Sequence, residues 1–518
     1  MVNRTHYNKD FSLLRGFLWP IHSYEMKKFF PTACIMFLVL FNYTIMRNTK
    51  DALVVPLVGP EIIPFIKGLI FPLSLFMVLL YSKLVNIFSQ ERIFYGGVIM
   101  FMAAFAVFYF GLFPYRESLL PLASTIVALQ TKYPVFHHFF SLYKVWIYVV
   151  FYIAAELWGA IALQFLFWQF ANDITRTEES KRFYAMYAFI GHIALMAAGY
   201  IGILSCQLQK RFGTVCGDGC DIILDVVTGG FMLGSCLIIV LRRWMSKNVL
   251  QNPFYYDAAA STARQKSGLK LSFKESIRQV LSSPYLGLIV MLILGYGISN
   301  NLLGLLWKKQ LQIAFPARDD YQHFMGMFSL FTGASTIILI FLFKGIIPRF
   351  GWGVAALVTP VVLFVTGAIF FSFMFFDTFL SPLTAFIGLT PLVLAVAVST
   401  FQQVITKSAK YAMFDPTKEM AYIPLDHHLK TRGKAAADVL GHSLSKASGG
   451  YIIGGILMVT HTKDLLEIAP ILAFVIMAII TLWIISVKAL DKRYTALVAQ
   501  REEEYNSVTR EQASLKTR

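Results

Sequence analysis

Residues 284–306 read PYLGLIVMLILGYGISNNLLGLL and contain no Asp, Glu, Lys or Arg. A run of that length and polarity matches a helix crossing the hydrocarbon core of a bilayer, which takes roughly 20 apolar residues. The same pattern recurs on both sides. Further spans are predicted at 30–47, 68–86, 93–113, 144–171, 183–205 and 222–241, and at 323–346, 353–376, 383–407, 435–460 and 466–488. The expected fold is an all-α polytopic membrane protein with twelve transmembrane helices.

Composition supports this reading. Of 518 residues, 57% are hydrophobic and 14% charged, and mean hydropathy is +0.62. A soluble domain carries about a quarter charged residues to keep its surface wetted. The net charge of +17 falls mostly in loops, so it speaks first of topology and lipid contact. No nucleic-acid partner is expected. The first 30 residues lack a signal-peptide core with a cleavage site, and no Arg/Ser-rich transit peptide precedes the first span. That favours a bacterial membrane. Of the five cysteines, Cys216 and Cys220 flank Gly-Asp-Gly in a loop, a candidate disulfide if the loop faces an oxidising space. The cysteines form no metal pattern, and no cofactor is expected.

The spans fall into two groups of six. Residues 1–241 form an expected N-terminal six-helix bundle and 284–518 a C-terminal bundle with a cytoplasmic tail. Between them, 242–283 is a basic linker with Arg242, Arg243, Lys247, Arg264, Lys266, Lys270, Lys274 and Arg278 against Asp257 and Glu275. The N-terminal segment and the tail are also rich in Lys and Arg. The positive-inside rule places all three in the cytoplasm, and the loops between spans 1–2, 5–6, 9–10 and 11–12 are poor in cations, as external loops should be. Lys181-Arg182-Phe183-Tyr184 leads to Gly191-His192, and Thr431-Arg432-Gly433-Lys434 leads to Gly441-His442. A six-plus-six parallel repeat is the pattern of major-facilitator-type transporters, whose substrate site lies between halves at mid-membrane.

Ionisable groups inside spans cost about 2.5–3.5 kcal/mol each on insertion scales, so each is a functional candidate. Glu156 lies midway along span 4, where it could couple transport by pairing with a lysine in one state and releasing it in another. Its structural alternative is a fixed salt bridge. Lys446 lies in Ser445-Lys446-Ala447-Ser448-Gly449-Gly450, about 16 Å from the cytoplasmic end and beyond a lysine's reach. Arg47, Lys50 and Asp51 close span 1 and Lys67 opens span 2. Together they could clamp phosphate, because Arg binds it bidentately and Lys as a point charge. Asn300 and Asn301 lie near the same depth, followed by Lys308 and Lys309, and Lys407 and Lys410 end span 10. His192 and His442 fit helix contacts. The cations outnumber obvious acids, which suits a polyanionic ligand. Gly441–Ser448 has no phosphate-binding loop pattern, since no Gly precedes Lys446 and no strand precedes the segment. Transport driven by exchange or ions is therefore expected, not hydrolysis.

At these residues the chain resembles the ATP/ADP translocase family of plastids and obligate intracellular bacteria, the chlamydial members most closely. The resemblance runs from Phe17-Leu18-Trp19-Pro20-Ile21 to the end of span 12. Its strongest blocks are Phe41-Asn42-Tyr43-Thr44 through Lys50-Asp51, Glu156-Leu157-Trp158-Gly159 through Phe170-Ala171-Asn172, and Lys410 through Asp426. It implies a nucleotide transporter, not an enzyme, in a bacterial inner membrane with both termini cytoplasmic. The implied activity is antiport of host ATP for ADP and phosphate by alternating access, carried out by a monomer. Lys67, Glu156 and Lys446 match charged residues considered important in the family. Two positions depart from it. Gly304 stands where the family motif has Glu, and Asn48 where it has Asp. Both remove a negative charge, which leaves proton-coupled nucleotide import, or exchange of a dinucleotide such as NAD, as alternatives. A membrane-embedded enzyme would need a catalytic cluster at the interface, and no paired carboxylates with His or metal ligands supply one.

Overall fold

The computed structural model describes residues 15, 19–216, 221–256, 282–343, 345–375, 388, 390–425, 434–460, 462 and 464–516. All regular structure among the described residues is helical. In chain order the long helices are α1 (Met26–Val58), α2 (Ile63–Ile87), α3 (Gln90–Ala106), α4 (Trp146–Ile161), α5 (Thr177–Cys216) and α6 (Ile222–Asn248). They continue as α7 (Pro284–Ala314), α8 (Arg318–Phe343), α9 (Ile346–Phe375), α10 (Pro391–Ala409), α11 (Lys434–Thr460) and α12 (Ala469–Lys516).

Among the described residues, 11 helices are long and apolar enough to cross a membrane. The expected span at 435–460 is helical throughout as α11, and its apolar run among the described residues is Ser448–Thr460. The expected tenth span begins at 383, of which 383–387 and 389 lie outside the described residues. The loop with Cys220 lies outside them too, as does the Cys216 side chain.

Helix starts follow local sequence. Ser283 caps α7 by accepting from the Leu286 amide at 3.4 Å, and Pro284 takes the first helical position. Thr390 and Pro391 repeat this device at α10. Each supplies an acceptor for a donor the first turn cannot satisfy, while proline sacrifices an N–H that would be idle. Three helices continue through π-helical turns, Val107–Leu112 after α3, Ala162–Phe167 after α4 and Lys410–Phe414 after α10.

The chain divides into two compact units. The first comprises Met1–Lys50, Met77–Tyr115 and Val150–Gly268; the second comprises Asp51–Phe76, Arg116–Val149 and Leu269–Arg518. The division passes through α1 between Lys50 and Asp51, and through α2 after Phe76.

Aromatic rings fill the first unit. Phe105 meets Phe231 with ring centres 4.6 Å apart, Trp158 meets Phe231 at 5.0 Å, and Phe101 meets Trp158 at 5.4 Å, all edge to face. Such pairs contribute about 0.5–1.5 kcal/mol each beyond burial. This matters because apolar contact alone gives little drive between helices in lipid. Asn42 on α1 donates to the Phe231 carbonyl at 3.2 Å and to Ser235 at 3.1 Å, joining α1 to α6. At one end, Lys28 pairs with Glu179 at 2.6 Å and Arg182 with Glu25 at 2.6 Å. Arg242, the first residue of the basic stretch, is buried within α6 over the Phe170 ring at 4.2 Å.

In the second unit α7 packs on α11 and α12. Trp307 donates to Thr400 at 3.0 Å, tying α7 to α10, and Thr336 donates to Ser408 at 3.1 Å, tying α8 to α10. The long motif from Lys410 is structural as well as distinctive. Lys410 pairs with Asp415 at 2.8 Å, Lys418 with Asp438 at 3.1 Å, and Trp352 donates to the Thr417 carbonyl at 2.8 Å.

Candidate functional site

In the first unit the charged end of α1 meets α4. Tyr152 and Glu156 are four residues apart on α4 and so share a face. Lys50 fills that face. Its Nζ lies 3.0 Å from Glu156 Oε1 and 3.6 Å from the Tyr152 ring centre. Lys50 is 1% exposed, so its ammonium has exchanged bulk water for protein contacts that include this carboxylate and this ring. One turn earlier, Arg47 sits over the Tyr43 ring at 5.5 Å. That ring lies directly on Gly159, where any Cβ would collide with it. The glycine three residues beyond Glu156 is thus what lets α1 and α4 approach closely enough for Lys50 to reach its acid.

In the second unit Lys67 donates to Asn301 Oδ1 at 2.8 Å. The amide orientation is fixed by its other end. Nδ2 of Asn301 donates to the Gly297 carbonyl at 2.8 Å and the Ser445 carbonyl at 3.3 Å, so the oxygen must face the lysine. Asn301 therefore links α2, α7 and α11 through one side chain. Its neighbour Asn300 keeps a buried Oδ1 with no hydrogen-bond partner among the described residues. Lys446 follows Ser445 on α11, and its side chain lies outside the described residues.

Acids meet the lysines that follow on α7. Asp51 pairs with Lys308 at 2.7 Å, while Lys309 bridges Glu61 at 2.7 Å and Asp464 at 3.3 Å. Glu61 is set by the turn between α1 and α2. Gly59 adopts φ +86°, and a Cβ there would strike the Glu61 carboxylate. Lys407 lies 4.5 Å from the Phe328 ring centre and 5.8 Å from that of Trp307.

Several sequence expectations change in detail. The apparent surplus of cations is largely answered, because Lys50, Lys308, Lys309, Lys410 and Lys418 all have carboxylate partners. The contacts of Arg47 and Lys50 described above belong to the first unit, and those of Asp51 and Lys67 to the second. Glu61 and Asp464 were not singled out from sequence, since each lies in a loop and neither stands near Lys309 along the chain. At Gly304, a Cβ would meet only the Gln403 side-chain oxygen, at 3.8 Å. The position lacks an acid, and a Cβ there would make only ordinary contact. No group of three or more His, Cys, Asp and Glu able to hold a metal occurs among the described residues.

The sequence matches the family model described as TLC ATP/ADP transporter over residues 4–494. The chain is 40% identical to "ADP,ATP carrier protein 1" of Chlamydia muridarum (strain MoPn / Nigg), covering 97% of this chain and 95% of that one. It is 38% identical to "ADP,ATP carrier protein 1" of Rickettsia prowazekii (strain Madrid E), covering 95% and 98%. "ADP,ATP carrier protein 1, chloroplastic" of Arabidopsis thaliana is 37% identical, over 92% of this chain and 75% of the plant protein. Among solved structures, a bacterial homologue of the iron transporter ferroportin in its inward-facing state aligns with TM-score 0.53 and 13% identity, over 88% of this chain and 98% of that one. A D-xylose–proton symporter aligns with TM-score 0.52 and 12% identity, over 90% and 97%. At such identities the likeness concerns fold alone, and that fold is major-facilitator-like.

Proposed function

The chain belongs to the TLC ATP/ADP transporter family, and from that premise we propose that it exchanges ATP for ADP across a membrane by alternating access. The observation that carries the reading is the pair of lysine sites described above. Lys50 is held by a carboxylate and Lys67 by a neutral amide oxygen, each on a helix near the α1–α2 turn. An arriving phosphate competes with Glu156 for Lys50 by charge alone. At Lys67 it competes with the neutral Asn301 oxygen, and charge-assisted bonds are roughly twice as strong as neutral ones. Lys67 is therefore a proposed phosphate contact, with Asn301 orienting it through the Ser445 carbonyl and Lys446 the next residue in the sequence.

Glu156 acts in this account as a stand-in anion. It keeps Lys50 neutralised while the carrier is empty and yields when nucleotide binds. Arg47, Asp51 and Asn300 complete the proposed substrate-binding and coupling set. The proposed location is a bacterial inner membrane with cytoplasmic termini, consistent with the basic linker at 242–283. The carrier works as a monomer with halves at 1–241 and 284–518.

A second reading, proton-coupled uptake of a nucleotide or exchange of a dinucleotide such as NAD, is favoured by one observation. Position 304 is a glycine whose Cβ would lie 3.8 Å from the neutral Gln403 side chain, where the family motif implies Glu, so this site lacks a negative charge that the motif would supply. The test is competition. Proteoliposomes preloaded with ADP take up labelled ATP while unlabelled ATP, ADP, GTP, UTP or NAD is offered outside. Strong inhibition by ATP and ADP alone supports the proposal, and inhibition chiefly by NAD or by UTP and GTP replaces it with the second reading.

A further inference from the structure

Between the spans Gln90–Leu112 and Trp146–Ile174 the chain does not make a simple loop. It builds short helices at Arg116–Leu119, Ala123–Lys132 and His137–Lys144, the last preceded by a 3-10 turn at Pro134–Phe136. We propose that Tyr133–Lys144 lies in the headgroup layer of the bilayer, with an aromatic ridge inserted among phospholipids.

The two sides of this segment are opposite in character. One side docks inward: His138, Ser141 and Leu142 are buried, and the His138 ring lies 5.2 Å from that of Phe65 at the start of α2. Gln130 clamps the preceding helix to it by donating to Ser141 Oγ at 3.1 Å and to the His137 carbonyl at 3.3 Å. The other side carries Tyr133, Val135, Phe136, Phe139 and Tyr143, each between 42% and 52% exposed. The neighbouring helix exposes Ser124, Thr125, Thr131 and Lys132 together with Val127, and it carries no aromatic ridge of its own.

Lipid is the occupant that fits. The segment is entered from one membrane-crossing helix and left by the next, so its ends are fixed at a membrane face. Aromatic side chains concentrate at that depth, where their rings meet acyl chains and their polar edges meet headgroups. Arg116, Lys132 and Lys144 are answered within 113–145 by Glu117 alone, a balance that favours phosphate-bearing lipid. A second copy of the chain fits poorly. A helix of this length offers a ridge only about 12 Å long, far short of the roughly 800 Å² per partner of a standard interface.

The test uses full-length carrier in vesicles of phosphatidylethanolamine and phosphatidylglycerol. The five native cysteines are replaced, exchange activity is verified, and an environment-sensitive fluorophore is attached through Phe136→Cys or Thr125→Cys. The Phe136 label should emit at shorter wavelength and be quenched by shallowly brominated phospholipid at least about twofold more than the Thr125 label, as an interfacial helix requires. Aqueous iodide should show the reverse order. Equal iodide quenching of both labels would place the ridge in water and overturn the proposal. So would a Phe136 label shielded from both quenchers until the carrier is diluted in lipid, which would mean a second copy covers it. If Phe136→Cys fails to insert, Tyr143→Cys on the same ridge must give the same lipid quenching.

Discussion

Lys50 and Glu156 form a buried ion pair in which the lysine, 1% exposed, is boxed between the carboxylate at 3.0 Å and the face of Tyr152 at 3.6 Å. Burying an ion pair costs several kcal/mol per ion, recovered only when geometry is good, and removing one partner strands the other. A pair of this kind is either a fixed brace or a switch. The two possibilities give different mutants.

Glu156→Gln should lower nucleotide exchange by at least about tenfold and destabilise the carrier by about 3–5 kcal/mol, because Lys50 is left charged and unneutralised. Lys50→Gln with Glu156→Gln should regain thermal stability, measured by unfolding in detergent, yet stay inactive. A double variant that regained exchange as well would mean the pair is only a brace.

At Lys67 the prediction is graded. Asn301→Asp places a carboxylate where a neutral oxygen now accepts from Lys67 at 2.8 Å. The apparent KM for ATP should rise about tenfold, equivalent to about 1.4 kcal/mol, with the maximal rate less affected. Lys67→Gln should impair both. Concentration-dependent uptake by each variant separates the cases.

The expectation of twelve spans came from apolar run length, and among the described residues eleven helices are long and apolar enough to cross a membrane. What sequence could not supply was partnership. Lys67 and Asn301 stand 234 residues apart, and nothing local to either marks the other. Glu61 and Asp464 were passed over because an acid in a loop usually faces water; here both turn toward Lys309. Glu156 and Lys50 were recognisable individually because charge at membrane depth is rare, whereas their pairing emerged only from the fold.

Glycines 159 and 304 should respond in opposite directions. Gly159→Ala drives a methyl into the Tyr43 ring and should destabilise by about 1–3 kcal/mol. Gly304→Ala meets nothing nearer than 3.8 Å and should stabilise by up to about 1 kcal/mol through helix propensity. Gly304→Glu should fold and shift the ratio of ATP to ADP uptake. Thermal unfolding and paired uptake assays measure both effects.

Lys309 joins Glu61, which is 4% exposed, to Asp464. Lys309→Met should therefore destabilise by about 3–5 kcal/mol, and adding Glu61→Gln should recover much of the loss. If the double variant is no more stable than the single one, the bridge holds nothing together.

The central claim is exchange of ATP for ADP, and one measurement tests it most directly. Proteoliposomes containing the carrier are prepared empty or loaded with ADP, and initial uptake of labelled ATP is followed with and without a proton uncoupler. The account predicts rapid uptake only into ADP-loaded vesicles, unchanged by the uncoupler. Equal uptake into empty vesicles that collapses when the pH gradient is dissipated would contradict it.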